Sequence, residues 1–138
     1  MFVKFALILA GLIVAVHAAP ALAQDPVTVK LDLFDGDKYS HAFSEGVRAA
    51  IANDSRFTVS DTLPADGLKI VMNDAISSDK DNGSDIASYS VDLKLGSGKF
   101  VASTSGYCDV RKFDMCGRVV AEDVYNAYTA FIAAPAKN

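Results

Sequence analysis

The stretch from residue 85 to 95 constrains the fold more than any other part of this chain. Tyr89, Val91, Leu93 and Leu95 alternate with Ser90, Asp92 and Lys94. A period of two places alternate side chains on opposite faces, so this segment reads as a strand with one buried and one wet face. Two neighbours share the pattern: GLKIVMNDAIS before it and KFVASTSGY after it. Residues 67–107 therefore read as a three-stranded meander, joined first through residues 77–84 and then through a tight turn at Gly96-Ser97-Gly98. A sheet with one apolar face needs a cover, and the flanking segments supply it.

Val27, Val29, Leu31 and Leu33 alternate with polar residues and form an opening strand. Residues 38–53 follow with Tyr39, Phe43, Val47, Ala50 and Ile51 at steps of three and four, the stripe of an amphipathic helix. Gly46 inside that helix weakens it and permits close packing. Residues 56–60 read as a short strand. A second helix is expected over residues 114–133, with Asp114 as its N-cap and Val120, Val124, Ala127, Tyr128, Phe131 and Ile132 as its stripe. The order β-α-β-β-β-β-α predicts an α+β two-layer sandwich. Its sheet is mixed or largely antiparallel, with 4–5 strands and both helices on one face, and the first β-α-β step is parallel.

Residues 1–23 read as a secretory signal peptide. Lys4 is the charged region, residues 5–16 the apolar run, and Ala21-Leu22-Ala23 the cleavage site. The run is shorter than a membrane span needs. The expected domains are thus the signal peptide, 1–23, and one α+β domain, 24–138, with no membrane span after cleavage. The cleavage-site residues point to bacterial export and a periplasmic or secreted protein. The net charge is −4 before cleavage, and losing Lys4 makes it more negative, which argues against nucleic acid or an anionic surface as partner. In an exported chain Cys108 and Cys116 are expected to form a disulfide.

The succession of a strand at residues 29–34, a helix bearing Phe43, Val47 and Ile51, a short Arg56-Phe57-Thr58-Val59 strand and then Ala65-Asp66-Gly67-Leu68 resembles one known family. This is the small α/β domain shared by the TolB N-terminal domain, the curli secretion protein CsgG and the exopolysaccharide protein PelC. The resemblance covers most of the chain after residue 23 in element order, and it implies an envelope scaffold or secretion component rather than an enzyme, one that oligomerises or docks onto partners. Many members carry a lipidation cysteine, which this chain lacks, and no propeller or membrane-inserting hairpin follows the domain. The resemblance implies no functional residue, because it rests on core positions.

The chemistry-bearing residues have plain readings. Asp79, Asp81 and Asp85 around Asn82-Gly83 look like part of a calcium loop, but Ser90 stands where an EF-hand needs its bidentate Glu. A solvated turn is the simpler reading. His41 is the one histidine after residue 23. With Ser44 and an upstream Asp it could be drawn as a hydrolytic triad, yet no nucleophile-elbow context surrounds it. Asp32, Asp35, Asp37 and Glu45 read as turn charge rather than paired catalytic carboxylates. The sequons at Asn53 and Asn82 matter only in a eukaryotic secretory host. No catalytic, cofactor or metal site is expected.

Two features point to binding. Tyr107, Arg111, Lys112 and Phe113 form a basic-aromatic cluster bracketed by the cysteines, a candidate recognition tip. Phe34, Val71, Val101 and Tyr107 fall out of phase with the inward positions and are expected to form an apolar patch on the open sheet face. The expected function is a non-catalytic, exported envelope scaffold or adaptor that binds an envelope protein or itself. The alternative is a small-ligand carrier with a pocket between helices and sheet near Gly46 and Ala50.

Overall fold

The computed structural model describes residues 24–81 and 84–136. The elements run β1 (Val27–Leu33), α1 (Lys38–Ala52), β2 (Phe57–Val59), β3 (Leu68–Met72), β4 (Ser77–Asp81), β5 (Ser84–Leu95), β6 (Phe100–Asp109) and α2 (Phe113–Ala133). The expected signal peptide, residues 1–23, lies outside the described residues, as do residues 82–83 and 137–138.

The strands make one mixed sheet. β1 pairs parallel with both β2 and β3, with Val29 opposite Val59 on one side and Leu68 on the other. β3, β4 and β6 all run antiparallel to β5. Ile86, Ala87 and Ser88 pair with both β4 and β6, and Asp92 to Lys94 with β6 opposite β3. β3 and β4 therefore lie end to end along one edge of β5, with β6 on the other. The sheet is five strands wide, and the α+β arrangement with two helices follows the expected order.

One difference is instructive. The GLKIVMNDAIS run breaks after Met72 and resumes at Ser77. Asp37 caps α1 by accepting from the backbone amides of Tyr39 (3.1 Å) and Ser40 (3.0 Å). The Ser40 hydroxyl donates to the other Asp37 oxygen (2.6 Å) and accepts from the Ile76 amide (3.0 Å). This relay pulls the chain off the β5 edge and ties the break to the start of α1. Ser40 is fully buried. Ser40→Ala leaves the Ile76 amide without its partner and is expected to cost about 1–3 kcal/mol of stability, read by urea denaturation. An unchanged midpoint would show that the relay does not hold the break.

The core lies between the helices and one face of the sheet. Val29, Leu68, Ile70, Val91 and Leu93 from the sheet meet Phe43, Val47, Ile51, Val120 and Val124 from the helices, all without exposure. Tyr89 packs across Gly106, where an added Cβ would sit 2.7 Å from its hydroxyl. α1 and α2 cross at Gly46 and Gly117. A Cβ on Gly46 would meet the Phe113 carbonyl oxygen at 2.4 Å, and one on Gly117 the Gly46 carbonyl oxygen at 2.1 Å. The helices touch backbone to backbone, so the close packing expected at Gly46 is real and needs a second glycine opposite.

Candidate binding surfaces

The best-defined site is the corner where β6 passes into α2. Cys108 and Cys116 are bonded, with Cα atoms 5.9 Å apart. The bridge ties the buried end of β6 to the first turn of α2. The intervening turn is pinned by the Lys112 amide donating to the Asp109 carbonyl (2.9 Å). α2 starts one residue earlier than expected, with Lys112 at the N-cap position. Asp114 lies inside the first turn, paired with Arg118 at 3.5 Å.

This start splits the predicted cluster. Tyr107 is 83% exposed. Arg111 reaches back to Asp109 through Nε (2.9 Å) and Nη2 (2.7 Å), and its backbone amide donates to the same carboxylate. That fork holds the Asp109 carboxyl far below the usual carboxylate range. Lys112 is exposed beside it. Phe113 is not part of the tip. It is 9% exposed and meets Phe43 edge-on at 6.0 Å. As the first helical residue it turns inward, where a loop residue would have pointed out.

The expected apolar patch on the open face does not assemble. Val71 is only 5% exposed: it sits in a central strand between Asp32 and Asp92, beside the 73–76 break. Val101 is half-buried and packs against the core, because a register irregularity opposite Leu93 and Lys94 re-aims it. Phe34 and Tyr107 remain exposed. The rest of that face is polar. Lys69 pairs with Asp32 at 3.0 Å, and the Ser103 hydroxyl donates to Asp92.

The other candidates separate. Ser44 is buried, and its hydroxyl donates to the Phe34 carbonyl at 2.7 Å, whereas His41 faces solvent with its Nδ1 4.0 Å from Asp35. The triad geometry is not formed. Asp79 and Asp81 fall on β4 and Asp85 on β5, so these residues belong to a hairpin rather than a helix-flanked loop. Among the described residues no three His, Cys, Asp or Glu side chains group as a metal site. A cavity of about 650 Å³ includes Gly46, Ala49 and Ala50 in its lining, but it is a groove on the solvent side of the two helices. The space between helices and sheet there is filled by Val47 and Ile51.

Arg56 closes one end of that groove, a feature the sequence reading missed. It bridges Asp54 and Glu122, each at 2.7 Å, and its guanidinium lies 4.4 Å from the Tyr125 ring centre. These contacts hold the carboxyls of Asp54 and Glu122 below their ordinary values, and the hydrogen bonds from Ser40 do the same for Asp37. A carboxylate whose folded pKa is lowered adds stability above its unfolded pKa, near 4, and loses it as pH falls through the folded value. Thermal midpoints are therefore expected to fall as pH drops below about 4. A midpoint unchanged between neutral pH and pH 3 would contradict these contacts.

Reduction should also be visible. Breaking the bridge, or replacing both cysteines by alanine, is expected to cost about 2–3 kcal/mol and to loosen the corner first. The check is a melt with and without reductant, alongside hydrogen exchange of residues 107–116.

No protein-family model matches the chain, and no curated protein does. Among solved structures, a minor lipoprotein from Acinetobacter baumannii is 7% identical and aligns over 72% of this chain and 92% of that one, with a TM-score of 0.46. A dodecamer of a PelC variant from Paraburkholderia phytofirmans is 12% identical over 75% of this chain and 86% of that one, with a TM-score of 0.44. The likeness is weak and is one of fold.

Proposed function

We propose that this protein is an exported, non-catalytic envelope adaptor that works by binding another protein. The observation that carries this reading is the disulfide-tied corner. It carries the exposed Tyr107 just before the bridge and the exposed Arg111 and Lys112 within the loop the bridge closes. A rigid aromatic anchor next to guanidinium and ammonium groups is the composition that carries binding energy at protein interfaces. Its rigidity lowers the ordering cost of association. The signal-peptide pattern and the disulfide support export.

The test is affinity capture from the host's own envelope extract, run in parallel with Tyr107→Ser and Arg111→Ser variants that keep their melting behaviour. One stoichiometric protein retained by the wild type and lost from both variants supports the reading. Capture that is indifferent to both, or none at all, counts against it.

A further inference from the structure

Among the described residues the sheet has three exposed margins, and they are not alike. β2 is three residues long, and short edge strands offer little to pair with. β4 carries Asp79, Lys80 and Asp81, and charge on an edge discourages pairing. Both are common ways of protecting a sheet edge. β6 has neither. It is ten residues long and pairs only with β5 among the described residues. Its register is regular from Ala102 to Asp109. The central run Ala102-Ser103-Thr104-Ser105-Gly106-Tyr107 has no charge and no proline. An edge of this kind is a template for another strand.

The run also complements itself. Lys99 precedes it and Asp109 ends it, so antiparallel pairing of two copies sets opposite charges together at both ends. With the two-fold axis at Thr104, the exposed Ser103 of one copy falls opposite the exposed Ser105 of the other, a pair of small hydroxyl residues that lets the two edges approach. The two Thr104 residues face each other. The Thr104 hydroxyl is buried without a hydrogen-bond partner among the described residues, a condition folded proteins rarely leave unexplained.

We propose that β6 is a homodimer edge: two copies of this chain pair β6 with β6, antiparallel about a two-fold axis at Thr104, and continue the sheet from one protomer into the next. This rests on the protein-binding reading above and names one partner for it.

The experiment is sedimentation velocity over a wide concentration range, with hydrogen exchange of the β6 amides on the unaltered protein at low and high concentration. The expected result is a concentration-dependent dimer in which amides 102–107 slow as it forms. Ser105→Lys places like charges next to the axis on an exposed position and is expected to weaken association by roughly tenfold while each protomer melts as before. The hydrogen-exchange readout decides the matter even if that variant folds poorly. Monomer at every concentration overturns the proposal, as does a dimer whose β6 amides exchange as freely as in dilute solution. Monomer together with a foreign protein captured through Tyr107 overturns self-pairing and leaves the adaptor reading standing.

Discussion

Gly117→Ala is expected to lower stability by about 3 kcal/mol, read from the urea midpoint at unchanged slope. The added methyl carbon would sit 2.1 Å from the Gly46 carbonyl oxygen, 2.4 Å from its carbon and 2.9 Å from the Val47 nitrogen. None of these atoms is the end of a flexible side chain. They are mid-helix backbone, held by the hydrogen bonds of α1, so the clash is relieved only by moving one whole helix away from the other. That separation loosens Phe43, Val47, Val120 and Val124 together, because all four share the core beneath the crossing. Intrinsic helix preference runs the other way: alanine is favoured over glycine by about 1 kcal/mol. The sign of the measured change thus separates the two effects. A stabilised Gly117→Ala protein would mean that the helices do not touch there. Gly46→Ala, with its methyl 2.4 Å from the Phe113 carbonyl oxygen, is expected to behave alike. The double variant should cost less than the two single losses combined, since either methyl alone already opens the same contact.

The crossing shows what a sequence does and does not display. Periodicity is local, and it located the elements well: the alternation of Tyr89, Val91, Leu93 and Leu95 is β5, and the stripe of Phe43, Val47 and Ile51 faces the core. Closeness between distant residues is not local. Gly46 could be read as a packing position, but nothing in its neighbourhood names Gly117, except that each is the one glycine of its helix. The break between β3 and β4 is set by Ser40 holding the Ile76 amide, 36 positions along the chain, while the run itself reads as one continuous strand. Phe113 departs from its expected place at the tip for a boundary reason. A one-residue shift in where α2 begins turns its ring from solvent into the core. Val101 leaves the open face because an irregular register undoes strict alternation. The disulfide and the exposure of Tyr107 were legible, since one follows from compartment and the other from phase.

Phe43→Ala is expected to be the most damaging single substitution in the core, at about 4 kcal/mol. The Phe43 ring is fully buried, with the Tyr89 ring centre 4.9 Å away and that of Phe113 6.0 Å away and edge-on. It is therefore the one side chain that joins α1 to the long strand β5 and to the first turn of α2 in a single aromatic cluster. Truncation removes the transfer free energy of the ring, and it leaves a cavity the glycine crossing cannot close, because the helix backbones there are already in contact. Phe43→Leu keeps much of the volume and is expected to cost under about 2 kcal/mol. The measurement is a pair of urea melts with hydrogen exchange at residues 107–116. A loss below 1 kcal/mol for Phe43→Ala would refute the cluster. The exchange data carry the functional point. Phe113 reaches the core directly after Arg111 and Lys112, so the corner that presents Tyr107 is seated on Phe43 from below and closed by Cys108–Cys116 from the side. Loosening either support should speed exchange at that corner before the rest of the sheet, which is how a corner held by packing differs from a free loop.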